Sequence, residues 1–294
     1  MVLGILGVLL AMGLAPLVAG FIKKAKAFLQ NRRGFVIWQP YFDIDKLLHK
    51  DRVLSPTTSM VFLIAPYLYF SAALTAAGLT CLHSFGLMTD FLLVIYVLAF
   101  GRFCLAVASL DAGSTFGGMG GSREMYISIL VEPALVLALL TVALPVGSTG
   151  LIAMSTVAQV FPVTVPYVLS AVAFFIVAVA ETGRVPVDNP DTHLELTMVH
   201  EGMILEYSGR ELALIHWASM IKQFTILVLF AQLFIPWNFG LTGVLYILWL
   251  ALKIMFGAVL LALVETSTNK LRLFKLPGLL AVSGLLSILA LIAQ

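Results

Sequence analysis

The sequence predicts an all-α polytopic membrane protein, a single transmembrane domain over residues 1–294 with about eight membrane-crossing helices. Three observations carry this reading. The chain is 61% hydrophobic and only 11% charged, whereas soluble domains carry about 25% charged residues. Several apolar runs reach the roughly 20 residues needed to cross a bilayer as a helix, and backbone in lipid must satisfy its polar groups within its own segment. Lysine and arginine also alternate from loop to loop, as the positive-inside rule requires.

The first run, 2–22, has its basic residues behind it (Lys23, Lys24, Lys26) rather than ahead of it. It therefore reads as an uncleaved span and not as a secretion signal. The loop that follows carries Arg32, Arg33, Lys46, Lys50 and Arg52, punctuated by Gly34, Pro40 and Pro56. Runs at 59–82 and 88–108 form the second and third spans, joined by a loop without Lys or Arg. The glycine-rich GSTFGGMGG at 113–121 fits neither GxxxxGK[ST] nor a GxGxxG after a strand. It reads as a flexible turn leading to Ser122 as N-cap of a fourth span, 122–144. The stretch 145–162 is apolar but broken by Pro145, Gly147, Gly150 and Pro162, and is expected as an exterior loop or interfacial piece. Runs at 163–181, 213–236, 240–264 and 276–293 complete the set.

Arg123, then Arg184 and Arg210, then Lys270, Arg272 and Lys275 fall in the loops after odd-numbered spans, while 83–88, 145–162, 237–239 and both termini have no Lys or Arg. The long charged loops are therefore cytoplasmic and both termini exterior, in the cytoplasmic (inner) membrane. A net charge of +2 implies no nucleic-acid partner; the lipid bilayer expected around the chain follows from its apolar runs. Cys81 and Cys104 both fall inside predicted spans. Without metal-like spacing they supply no ligand set for an iron–sulfur cluster, so no cofactor is expected on this chain.

Ionisable groups inside spans cost on the order of 2.5–3.5 kcal/mol each and usually mark a proton or ion path. Glu132, followed by Pro133, lies mid-way along the fourth span, Glu181 closes the fifth, and Lys222 and Lys253 sit within the sixth and seventh. A static buried ion pair would satisfy the same residues. Arg102, Asp111 and Glu265 lie near enough to helix ends to snorkel or cap. A stand-alone transporter would be expected to show inverted repeats, and the chain has no pair of matching halves.

The segment 181–209, ETGRVPVDNPDTHLELTMVHEGMILEYSG, gathers Glu181, Asp188, Asp191, Glu195, Glu201 and Glu206, with Glu211 just beyond: seven of the chain's 15 carboxylates. Pro186 and Pro190 delay a helix, which is expected over 191–206 with Asp191 as N-cap. His193 and His200 are seven apart and match no zinc motif. They suit hydrogen bonding or proton relay instead.

Three separated stretches carry a family resemblance. They are ETGRVPVD with the later EGMILEYSG, NRRG at 31–34 with Gln39 and Asp43–Leu47, and LDAGSTFGGMGGSREMYISILVEP at 110–133. Together they resemble the complex I membrane protein that lines the quinone site and holds the soluble arm. That family includes the anchor subunits of energy-converting [NiFe] hydrogenases and formate hydrogenlyases, and the LD-x-GS-x-F and SRE patterns favour the hydrogenase branch. The resemblance implies cytoplasmic loops that cradle a soluble redox module, with Arg32, Arg33, Asp43, Asp45, Lys46, Asp111, Arg123, Arg184 and Asp188 as docking residues. It implies a proton path through Glu132, Glu181, Asp191, His193, Glu195, Glu201, Glu206, Lys222 and Lys253. Implied partners are hydrogenase-like large and small subunits and an iron–sulfur subunit, which carry the nickel–iron and iron–sulfur groups, and antiporter-like membrane subunits. One departure stands out: a family run of three alternating acids appears here as Asp191, His193 and Glu195, which makes the middle step pH-dependent.

Overall fold

The computed structural model describes residues 2–83, 89–160, 164–189, 198–241 and 243–294. Its helices run in the order α1 (Val2–Leu29), α2 (Gln39–Leu48), α3 (Met60–His83), α4 (Phe91–Asp111), α5 (Thr115–Val146), α6 (Leu151–Val160), α7 (Val165–Glu181), α8 (His200–Ile204), α9 (Gly209–Leu233), α10 (Val244–Ser267) and α11 (Leu276–Ile292). Among the described residues, α1, α3, α4, α5, α9, α10 and α11 together with the turn before it (Leu273–Ile292) are long and apolar enough to cross a membrane. The eighth apolar helix, α7, has 17 residues, the short end of the spanning range. The protein is a multi-pass helical membrane protein.

Two apolar cores divide the bundle. One joins α4, α5, α7 and α11 with the distal end of α9, around Phe91, Leu139, Phe174 and Phe230. The other joins α1, α3, α9 and α10, around Ile22, Phe62, Ile215 and Leu261. The loops sort to opposite ends. At one end Arg52 meets Glu211, Ser59 meets Asp111, and Leu271 donates its amide to the Pro186 carbonyl. At the other, Phe91 and Leu151 donate to the carbonyls of Thr149 and Thr89. The first is the end that the basic loops assign to the cytoplasm.

Three sequence expectations need correction or completion. The glycine run is helical: α5 starts at Thr115, capped by Ser114, whose hydroxyl accepts from the Gly117 amide at 3.1 Å. Ser122 is inside that helix, its hydroxyl turned to the Met119 carbonyl. The glycines are there for close approach. A Cβ on Gly120 would sit 2.9 Å from the Met203 amide and the Val199 carbonyl, so α5 and α8 pack backbone to backbone. Low helix propensity, about 1 kcal/mol per glycine, is offset by that packing. The 145–162 stretch contains α6, a ten-residue helix after the left-handed Gly147 C-cap. Of the helix expected over 191–206, the described part is α8; Asp191, His193 and Glu195 lie outside the described residues.

Candidate functional site: a buried ion cluster beside a cytoplasmic cavity

Four helices each bring charge to one point. Arg102 of α4 is 4% exposed and Glu181, the last residue of α7, is 3% exposed. Arg102 Nη2 donates to both Glu181 carboxylate oxygens at 2.7 Å. Lys222 of α9 places Nζ 3.5 Å from Glu181 Oε1. Two carboxylates of α5 stand at the edge of contact: Glu132 Oε1 is 3.9 Å from Arg102 Nη2, and Glu124 Oε1 is 4.0 Å from Arg102 Nε. Arg102 Nε is buried without a hydrogen-bond partner.

The charge balance decides what this cluster can do. Arg102 and Lys222 are two cations; Glu124, Glu132 and Glu181 are three carboxylates. Arginine keeps its proton in proteins, and Glu181 holds the two short bonds. One further proton on Glu124 or Glu132 would therefore neutralise the cluster, in a setting where an uncompensated charge is costly.

The cluster opens on a cavity of about 370 Å³. Lys23 of α1 and His216 of α9 line it, as do Arg184, Asp188, His200 and Glu201 of the connecting segment. Local geometry fixes that segment. Arg184 donates to Gln223 Oε1 at 2.8 Å and lies 3.5 Å from Glu265 Oε1, whose other oxygen is 3.3 Å from Lys26 Nζ. Asp188, 3% exposed, accepts from Lys270 Nζ at 2.7 Å and from the His200 amide at 3.1 Å. The His200 imidazole has its Nε2 buried without a partner. Burial pushes its pKa down to about 4; Lys222 and Arg184 act in the same direction and Asp188 opposes them. His200 is therefore neutral at physiological pH.

The structure gathers Glu132, Glu181, Glu201 and Lys222 at the cluster or its cavity. Glu206 is on the exposed surface. Lys253 stands apart: Nζ reaches Asn238 Oδ1 at 2.7 Å, in the loop at the exterior end. A long flexible side chain can send its ammonium back toward the interface in this way. The docking residues also divide. Arg32, Arg33, Asp43, Asp45 and Lys46 are exposed, amid the exposed apolar side chains Phe35, Trp38 and Phe42. Asp111 instead caps α3, accepting from the Ser59 and Phe62 amides. Arg123 donates to the Met198 carbonyl at 3.0 Å, and Arg184 and Asp188 are tied into the cavity wall.

Sequence reasoning missed Glu124, His216, Gln223 and Lys26. With the fourth span drawn from Ser122, Glu124 is an unremarkable first-turn acid of the kind a helix dipole favours. A helix begun at Thr115 puts it about two and a half turns in, eight residues before Glu132. Carrying the helix back through the glycines would have found it. Among the described residues, no group of three or more His, Cys, Asp or Glu is arranged to hold a metal ion.

Residues 2–293 match the profile of the family described as NADH dehydrogenase. The chain is 34% identical to formate hydrogenlyase subunit 4 of Escherichia coli (strain K12), over 90% of this chain and 89% of that one. It is 37% identical to hydrogenase-4 component C of the same organism, over 76% and 72%. In overall fold it is similar to a chain of the membrane-bound sulfane sulfur reductase, an archaeal respiratory membrane complex. That match has a TM-score of 0.83 at 18% identity and covers 98% of both chains.

Proposed function

Because this chain belongs to the NADH dehydrogenase family of membrane subunits, we propose that it is the anchor and coupling subunit of an energy-converting [NiFe]-hydrogenase-type complex. It docks a soluble redox module on its cytoplasmic face and links that module to proton or sodium translocation. The observation that carries the reading is the ion cluster: three carboxylates against two cations, with Arg102, Glu181 and Lys222 buried and Glu124 and Glu132 partly buried, beside a polar cytoplasmic cavity. The relatives at 34% and 37% identity, both by name hydrogenase or formate hydrogenlyase components, favour the hydrogenase branch. The redox groups, nickel–iron and iron–sulfur, belong in this reading to partner subunits.

The chain's residues divide the work of moving a proton. Arg102 is the fixed charge and holds Glu181 ionised by two short charge-assisted bonds. Lys222 shares Glu181 and faces the cavity. Glu124 and Glu132 are held by charge but by no hydrogen bond from Arg102, so each can accept a proton without breaking one. A proton entering from the cavity reaches Glu124, which lines it, and passes to Glu132. The Glu132 side chain is 33% exposed part-way along its helix, which suits transfer to a neighbouring membrane subunit. The exposed first loop with Arg32, Arg33, Asp43, Asp45 and Lys46 is the docking face.

The test is Glu132→Gln in the whole complex, with coupled turnover and subunit composition measured together. An intact complex that catalyses without coupled translocation, or stalls, is the expected result. Full coupled turnover would remove Glu132 from the path. A second reading has one observation in its favour: the 370 Å³ cavity is in the range that encloses a small ligand, and a quinone head group would fit there. A photoreactive quinone that labels residues around Arg184 would support it, and labelling confined to lipid-facing helices would dismiss it.

A further inference from the structure

A second polar cavity lies at the cytoplasmic end, away from the ion cluster, where the loop at 50–53 meets the start of α9. It measures about 330 Å³ and is lined by Lys50, Asp51, Arg52, Tyr67, Arg210 and Glu211. The two chain segments are stapled together. The Ser208 hydroxyl accepts from the Val53 amide and donates to the Val53 carbonyl, both at 2.8 Å. Gly209, at φ +58°, brings its backbone against Lys50 and Asp51 so closely that a Cβ would lie 2.9 Å from both carbonyl oxygens.

The staple leaves groups of both signs without partners. Ser208 is the N-cap of α9 but makes no capping bond with its side chain. First-turn amides of a 25-residue helix therefore have no side-chain acceptor, and such a terminus attracts anions. Lys50, Arg52 and Arg210 add three cations around it. Glu211 is 3% exposed; its Oε1 accepts from Arg52 Nη1 at 3.1 Å, and its Oε2 is buried with no partner at all. Glu211 lines the cavity, and a buried orphan carboxylate oxygen asks for a donor or a cation. One cavity thus offers an anion cradle and a cation acceptor, with Asp51 a second carboxylate in its wall. Tyr67, half-exposed on α3 two turns above its cytoplasmic end, puts the cavity at the level where aromatic and basic side chains meet lipid head groups.

We propose that this cavity binds the head group of an inner-leaflet aminophospholipid, the phosphate held by Arg210, Lys50 and the α9 terminus and the ammonium by Glu211. A head group without an ammonium, such as that of phosphatidylglycerol, can offer Glu211 Oε2 a hydroxyl donor but no opposite charge. One with a quaternary ammonium could not donate a hydrogen bond to it. Phosphatidylethanolamine has both required groups.

The test uses the full chain, alone or in its complex, with lipid retention read by native mass spectrometry and thermal unfolding in nanodiscs. Discs are made of phosphatidylethanolamine, phosphatidylglycerol or phosphatidylcholine, with inorganic phosphate as a soluble control. Phosphatidylethanolamine should be retained about tenfold over the other two, a preference of about 1.4 kcal/mol. Glu211→Gln should erase the preference over phosphatidylglycerol while keeping phosphate-bearing lipid bound, and Arg210→Gln should weaken retention of both. Equal retention of the three lipids by the wild-type protein would overturn the proposal, whether or not the variants fold. So would stabilisation by inorganic phosphate alone, or an unchanged preference in Glu211→Gln.

Discussion

At the cytoplasmic end of the bundle, Arg102, Glu124, Glu132, Glu181 and Lys222 meet within 4.0 Å contacts. A further chain runs through Arg184, Glu265 and Lys26. From the middle of the bundle to its exterior end, α5, α7, α9 and α11 are joined by neutral groups. Thr141 and Ser170 share a hydroxyl contact, the Tyr167 hydroxyl donates to the Leu233 carbonyl, and Ser283 donates to the Ala173 carbonyl at 2.9 Å. Around them packs the apolar core of Leu135, Leu139, Phe174 and Phe230. Lys253, turned to Asn238 and 5.9 Å from the Trp249 ring centre, is the exception. Neutral groups satisfy one another locally and end there, whereas one group of charges links α4, α5, α7 and α9 and a second links the loop at Arg184 to α10 and α1. The contrast suits the proposed function, in which protons would enter from the cytoplasm and leave sideways, since the apolar half is a barrier to ions.

The contrast between the two ends breaks most severely at Arg102. Arg102→Gln leaves Glu124, Glu132 and Glu181 facing one another, and removing one partner of a buried pair costs about 3–5 kcal/mol. Membranes from that strain should contain little assembled complex, as read by blue-native gels. Arg102→Lys, which keeps the charge and loses the two bonds from one nitrogen, should recover part of it. Conservative changes to the carboxylates sharpen the contrast instead. Glu181→Gln removes the doubly held anion and should reduce both stability and turnover, measured by unfolding and activity of the purified complex.

His200 gives the next effect. Folded, its imidazole stays neutral down to about pH 4, whereas the unfolded one takes its proton near 6.5. Between those values the unfolded state binds more protons, so stability falls as pH falls, by up to about 3 kcal/mol at full effect. His200→Gln should flatten that slope in thermal unfolding from pH 7 to 4. Least is expected at Lys253. Lys253→Met keeps the stem and loses one bond to Asn238, so unfolding should shift by on the order of 1 kcal/mol and coupled turnover should not change.

Much of this is legible in the order of residues alone. Apolar length marks the spans, and the placement of lysine and arginine sorts the loops to two ends, because both follow from the cost of polar groups in lipid. Glu132, Glu181 and Lys222 are visible as charges where charge is expensive. What the pattern does not show is pairing. Arg102 sits closer to the cytoplasmic end of its span than Glu132 does, and it reads as a snorkelling side chain until Glu181, which it shares with Lys222, closes on it from another helix. Glu124 is hidden by the glycines, whose propensity says turn while their contacts with Met203 and Val199 say helix. Lys253 reads as deep because position along a helix fixes the Cα, not where four methylenes carry the ammonium.

The central claim is that the cluster holds one proton on a carboxylate of α5. Infrared difference spectroscopy of the complex, poised between two pH values or two redox states, reads protonated carboxyl groups directly. One buried carboxylic C=O band is predicted, abolished by Glu124→Gln or by Glu132→Gln and untouched by Glu265→Gln. A spectrum with no such band, or a band that survives both α5 substitutions, would contradict the account.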